Sequence, residues 1–213
     1  MTYIENVFVC LAIPMILALF FINGRSKRFI AFVIIGMGVC LISAYINSFF
    51  IGYYSIDGVT AAIEIAPVCE EVMKLLPLLI YFLIFEPAPD ELPGVAVAIA
   101  VGFATFENVC YLTANGAADI SILLIRGISA GAIHILCGTA TGYGISYAFR
   151  YRWLALTGTV GILGACVGFH AIYNLLVTLD DEWSIVGYAF PSVMIICLFM
   201  IGKLIPKIKN RIR

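Results

Sequence analysis

Charge is scarce in this sequence. Only 12% of its 213 residues are Asp, Glu, Lys or Arg, whereas 63% are hydrophobic. Soluble domains carry about 25% charged residues and about 45–50% apolar ones. Long polar stretches and low-complexity segments are missing too, which excludes a separate soluble domain. The mean hydropathy of +1.08 makes lipid the expected solvent. There is no basic surface interleaved with aromatics, so nucleic acid is excluded as a partner class. CxxC spacing is absent among Cys10, Cys40, Cys69, Cys110, Cys137, Cys166 and Cys197, and all seven fall in apolar runs. They read as small hydrophobes rather than a redox pair or a metal knuckle.

What is present is a set of apolar runs. A membrane span needs about 20 such residues. Seven runs qualify, at about 5–23, 29–53, 59–85, 94–113, 121–149, 154–178 and 184–205. The expected fold class is all-α: a polytopic membrane helix bundle of about seven transmembrane helices. Residues 1–213 form a single domain, with a core of interest at about 59–178. The first run reads as a retained anchor, because "MTYIEN" lacks the basic start of a signal peptide and the basic cluster follows the run.

Positive charge is missing from one side. Arg25, Lys27 and Arg28 follow the first run. Arg150 and Arg152 follow the fifth, and Lys203, Lys207, Lys209, Arg211 and Arg213 end the chain. Loops around Asp57, Asp119 and Asp180–Glu182 have no Lys or Arg. The positive-inside rule then puts the N-terminus outside and the C-terminus inside a plasma membrane. The acidic "EPAPDELP" loop at 86–93 is inside, which that rule tolerates.

Against this background, several ionisable residues lie within runs: Glu64, Glu70, Glu71, Lys74, Glu107, Arg126, His134 and His170. In a bilayer such groups cost several kcal/mol unless paired or hydrated, and by default they mark a site. In "EEVMK", Lys74 lies about 40° from Glu70 and about 60° from Glu71 around a helix, one turn away. One carboxylate can be neutralised by Lys74, which leaves the other for general acid–base work. The bland alternative is an ion-pair knot that fixes packing. Pro67, one turn earlier, frees the Ile63 carbonyl and is expected to kink the helix there.

Three other stretches join it. "FATFEN" ends in Glu107 and Asn108, an acceptor beside an amide donor. "RGISAGAIHILCGTATGYG" places His134 between Gly127-xxx-Gly131 and Gly138-xxx-Gly142. "GILGACVGFHAIYN" has Gly164-xxx-Gly168, then His170 and Asn174 on one face. These glycine pairs are expected to allow close helix approach. At 1.5 Å per residue from the outer end, Glu70 lies about 16 Å down, Glu107 about 9 Å, His134 about 20 Å and His170 about 12 Å. One level in four neighbouring spans implies a water-filled cavity open to the outside.

Carboxylate, imidazole and amide together can activate water and stabilise an oxyanion. GxSxG is absent, and no aspartate lies inside a span, so serine and aspartyl types of intramembrane peptidase fit poorly. HExxH is absent as well, so spacing gives only weak support for zinc.

At these residues the sequence resembles the PrsW family of intramembrane proteases, within the CAAX-protease and bacteriocin-processing superfamily. The resemblance rests on "EEVMK" at 70–74, "FATFEN" at 103–108, His134 and "HAIYN" at 170–174, in family order. It implies a glutamate-dependent protease that makes the first, extracytoplasmic cut in a single-pass anti-sigma factor. By that resemblance Glu70 is the base for water, and Glu71 supports it with Lys74 as partner. His134, His170 and Asn174 bind water or the oxyanion. Glu107, with Asn108 beside it, stands where the wider superfamily has a histidine. Arg126 is expected either to pair with a carboxylate or to snorkel outward. No cofactor is expected, because Lys74 competes with a cation; if zinc is used, Glu70, Glu107, His134 and His170 are its ligands. Two other readings stay open: a non-catalytic scaffold, as in gamma-secretase, and a proton-coupled transporter, although no internal repeat is found. A bacteriocin or another small membrane protein is the alternative substrate.

Overall fold

The computed structural model describes residues 3–116, 120–179 and 182–212, and for 115, 122, 152 and 201–212 the backbone alone. The expected outer charges Asp119, Asp180 and Asp181, the side chains of Arg152, Lys203, Lys207, Lys209 and Arg211, and Arg213 altogether lie outside the described residues.

Every described element is helical. In chain order they are α1 (Ile4–Ala18), α2 (Gly24–Tyr54), the short turn α3 (Gly58–Thr60), a π-helical turn (Ala61–Ile65), α4 (Ala66–Phe85), α5 (Leu92–Asn115), α6 (Ile120–Ala148), α7 (Arg152–Thr178) and α8 (Glu182–Ile212). Five of them, α2, α5, α6, α7 and α8, are long and apolar enough to cross a membrane. This is a multi-pass membrane protein.

The first and third expected spans are the two that differ. α1 has only 15 residues, about 22 Å of rise against a hydrocarbon core of about 30 Å. It ends early because Phe20 and Phe21 turn back on the carbonyls of Leu17 and Ala18. Gly24 then takes a φ of +63°, which favours glycine. α4 has 20 residues but carries Glu70, Glu71 and Lys74.

α5 forms the centre of the bundle, packed between α2 and α6. Its buried positions are rich in small residues, Ala96, Ala98, Ala100 and Ala104, with the larger Phe103 and Phe106 also buried. Small side chains let helix backbones approach where lipid supplies no hydrophobic drive. A Cβ on Gly36 of α2 would collide with the Ile99 carbonyl, and one on Gly102 with the Val33 carbonyl. Gly138 and Gly142 of α6 do what their spacing implied: added Cβ atoms would lie 2.7 Å from Ala100 Cβ and 2.6 Å from Pro93 Cα. Gly164 and Gly168 do not. Both are exposed, and nothing lies within 4 Å of a Cβ built there, so they face away from the bundle.

α7 continues the row beyond α6, and α8 packs on both. α4 closes the bundle against α2, α5 and α7. Arg28, at the start of α2, pairs with Glu91 at 2.6 Å, beside the start of α5. One end of the bundle therefore holds Arg25, Lys27, Arg28, Arg150 and the 86–91 loop. The other holds the 55–57 turn, the last residues of α5 and α7 and the first residues of α6 and α8. At that second end Asp57 caps the lead into α4. It accepts the Val59 and Thr60 amides and the Thr60 hydroxyl. The Thr60 hydroxyl and amide hold its carboxyl below the usual carboxylate range.

Candidate active site

α4 enters the bundle through irregular backbone. Ala66 N–H bonds to the Ala61 carbonyl in the i→i+5 pattern of a π turn. Pro67, buried and at the first turn of α4, has no N–H to continue it. The kink expected at Pro67 is thus a π-helical turn ending there. Such turns occur often at functional sites. Below it α4 is regular and points Glu70, Glu71 and Lys74 inward, all buried. Glu64, on the turn itself, is exposed and takes no part.

The two carboxylates of "EEVMK" are not equivalent. Glu71 Oε1 receives Lys74 Nζ at 2.7 Å and His170 Nδ1 at 2.8 Å. Glu70 Oε2 is buried and, among the described residues, has no hydrogen-bond partner. It lies 3.7 Å from His170 Nε2. Because the ionised Glu71 only accepts, His170 donates from Nδ1. In neutral His170, Nε2 is then a bare acceptor. Two acceptors therefore face each other with room for something that satisfies both: a water donating two hydrogens, or a cation.

His134 is held on both sides. Lys74 Nζ, a donor only, lies 2.9 Å from its Nδ1. Its Nε2 therefore carries the hydrogen and donates to Glu107 Oε2 at 2.6 Å. Arg126 meets the other oxygen of Glu107 at 3.2 Å and Asn108 Oδ1 at 2.6 Å. It also lies 3.7 Å over the Tyr111 ring. Of the two fates expected for Arg126, it takes the pairing one. Asn108 also donates to the Gly127 carbonyl at 3.4 Å, which ties α5 to α6. The rings of His134 and His170 stand perpendicular, 4.9 Å apart. Asn174 donates to the Ala62 carbonyl at 2.8 Å.

The singled-out residues other than Glu64 thus converge, from α4, α5, α6 and α7, and Glu70, Glu107, Arg126, His134, His170 and Asn174 line a cavity of about 370 Å³. Ala62, Tyr111, Tyr173, Val177 and Tyr188 also line it, toward the end that holds the 55–57 turn. A larger cleft of about 650 Å³ lies at the opposite end around Arg25, Arg28, Asp90 and Glu91. It contains none of this chemistry. Sequence reasoning missed Tyr111, Tyr173 and Tyr188. Tyr111 follows Glu107 by four residues and Tyr173 follows His170 by three, so helical spacing held a signal for both. Tyr188 of α8 had none.

The metal question turns on donor atoms. Ligand atoms of Glu70, His134 and His170 lie within 4.8 Å of one another. Two carboxylate or imidazole donors with a third is a zinc-type set. The partnerless Glu70 Oε2 and the bare His170 Nε2 suit it directly, whereas His134 Nε2 must first release its hydrogen bond to Glu107. The set fits a divalent ion in kind. Glu107 belongs to the Arg126 side of His134 rather than to this trio.

A family model described as "PrsW family intramembrane metalloprotease" matches residues 25–201. The chain belongs to the PrsW family. It is 22% identical over 202 residues to Protease PrsW of Clostridioides difficile (strain 630), covering 85% of this chain and 83% of that one. It is 26% identical over 112 residues to Protease PrsW of Bacillus subtilis (strain 168), covering 50% and 47%. No solved structure matches. The protein is an intramembrane protease, and the scaffold and transporter readings fall away.

Proposed function

We propose that this PrsW-family peptidase makes a first cut in a single-pass membrane protein, an anti-sigma factor in type, on its extracytoplasmic side. The observation that carries the chemistry is the partnerless Glu70 Oε2, 3.7 Å from His170 Nε2 at the cavity wall. A water held between them donates to both. Glu70 takes its proton as the water oxygen attacks the scissile carbonyl, then returns the proton to the leaving amine. Glu71 and Lys74 hold His170 in the orientation this requires. His134 lies at the same wall, and its one N–H, given to Glu107 at 2.6 Å, serves the carbonyl oxygen as it becomes anionic only by leaving that carboxylate. Glu107, braced by Arg126 and Asn108, fixes the His134 tautomer. When an ion is bound, Glu70, His134 and His170 would hold it, and it would supply Lewis-acid polarisation of water and carbonyl.

The orientation supports the extracytoplasmic side. The basic end of the bundle faces inward by the positive-inside rule, so the cavity faces out. The N-terminus is then outside, the C-terminus inside, and α1 and α4 complete seven spans in one domain.

The test co-expresses the chain with a candidate single-pass anti-sigma factor and follows substrate length. Wild type is compared with Glu70→Gln and His170→Ala at matched levels, with and without a zinc chelator. Cleavage lost in both variants and indifferent to chelator supports a metal-independent glutamate base. Loss on chelation alone moves the water onto an ion held by the same residues. Undiminished cleavage in Glu70→Gln sinks the mechanism.

A further inference from the structure

Asn174 was expected at the water or the oxyanion; it does line the cavity, but its amide also donates to backbone, at the Ala62 carbonyl. In regular α-helix the Ala62 carbonyl would receive the N–H of Ala66, and in π-helix that of residue 67. Ala66 spends its N–H on Ala61, and residue 67 is proline. Neither backbone register can satisfy Ala62. Asn174 Nδ2 supplies the missing donor at 2.8 Å, from a helix 112 residues further along. Ala62 is half-buried at the cavity wall, and a carbonyl there that both backbone registers leave without a donor gains from one, so this bond is built into the irregular lead into α4.

The same helix face carries His170, one turn earlier. His170 reaches Glu71 at 2.8 Å and Glu70 at 3.7 Å. The π turn runs without a break into α4, which carries the two glutamates. Whatever fixes α7 to the turn also fixes how far His170 stands from each carboxylate.

We propose that Asn174 is a positioning residue: its amide replaces the backbone donor removed by Pro67, locks α7 to the π turn, and thereby sets His170 against Glu70 and Glu71. Its consequence for catalysis rests on the Glu70 mechanism above; the geometry does not.

The test uses Pro67→Ala, which returns an N–H to residue 67 and makes Asn174 redundant. Full-length wild type, Asn174→Ala, Pro67→Ala and the double variant are labelled with 15N-histidine and purified in detergent. The chain has only two histidines, so both imidazoles can be followed. Asn174→Ala is expected to move the His170 signals and leave those of His134 in place. In the Pro67→Ala background the same change is expected to move His170 much less. On a cleaved substrate, Asn174→Ala should lower kcat about tenfold in the wild-type background with KM unchanged, and about twofold or less beside Pro67→Ala.

An equal loss in both backgrounds, with His170 unmoved, overturns the proposal and returns Asn174 to the oxyanion. If Pro67→Ala does not fold, Asn174→Asp decides alone. It is nearly the same shape but, ionised, has no donor; an unmoved His170 then overturns the proposal. A wild type that cleaves nothing counts against the Glu70 mechanism, while the imidazole signals still decide this one.

Discussion

Oε1 of Glu71 and Nδ1 of His170 lie 2.8 Å apart, and the same oxygen receives Lys74. Two neighbouring glutamates are thereby given different work. Glu71 has its charge matched and its geometry fixed. Glu70 keeps a buried oxygen that has no hydrogen-bond partner among the described residues.

This asymmetry predicts opposite phenotypes for two identical substitutions. Glu70→Gln should leave the melting temperature close to wild type and lower cleavage by at least about a hundredfold, the usual contribution of a positioned base. Glu71→Gln should lower the melting temperature, because Lys74 is left as a buried charge without its counter-ion. Removing one partner of such a pair costs about 3–5 kcal/mol. Melting in detergent and substrate cleavage, measured on the same preparations, separate the two. A stable, inactive Glu71→Gln with an active Glu70→Gln would exchange their roles.

Lys74 has a prediction of its own. It serves Glu71 at 2.7 Å and His134 at 2.9 Å. Lys74→Met should be strongly destabilising alone and much less so combined with Glu71→Gln, since the pair can be replaced as a unit more cheaply than it can be broken. The double variant should still be inactive, because His170 and His134 both lose what orients them. Additive losses in a double-mutant cycle would mean that the two charges do not share one network.

The sequence made most of this legible, because ionisable groups are so rare in it that each one stands out. Helical spacing placed Lys74 beside both glutamates, and counting from the loops put Glu107, His134 and His170 at one level. What spacing could not decide was which glutamate Lys74 takes. Its distances from Glu70 and Glu71 around the helix are similar, and the choice is made by His170, 99 residues away. Pro67 marked a break in the helix, but the partner of the freed backbone comes from α7 and is invisible locally. Arg126 was left between pairing and snorkelling because both need only a long side chain near a helix end. The Asn108 and Glu107 oxygens on α5, 2.6 and 3.2 Å from its guanidinium, decide the matter.

Arg126 and Glu107 should be energetically coupled. Arg126 bridges Glu107 and Asn108 on α5 from a position on α6, over the Tyr111 ring. Arg126→Ala frees Glu107 to turn from His134 and should lower cleavage by about tenfold or more. Glu107→Gln should do the same, and the double variant should be little worse than either. Interaction energies of about 0.5–3 kcal/mol are usual for residues in one network. Activities that multiply in the double variant would show that Arg126 acts on something other than Glu107.

Glycine substitutions test the packing that holds the site together, and they separate two kinds of small-residue spacing. Gly36 and Gly102 have no GxxxG partner, yet each faces the other helix's backbone, at the Ile99 and Val33 carbonyls. Gly164 and Gly168 have the spacing but face open space. Gly102→Ala must push α2 from α5. Backbone cannot swing aside as a flexible side chain does, so a loss of about 1–3 kcal/mol is expected. Because α5 carries Glu107, cleavage should fall with stability. Gly164→Ala and Gly168→Ala should be neutral, or slightly stabilising, because alanine is the better helix former. Melting of the three variants in detergent decides between them. A costly Gly164→Ala would place another helix, from a second copy or from substrate, on that face of α7. A silent Gly102→Ala would mean that the α2–α5 crossing yields easily, and that Glu107 is held by its Arg126 and His134 contacts rather than by the helix that carries it.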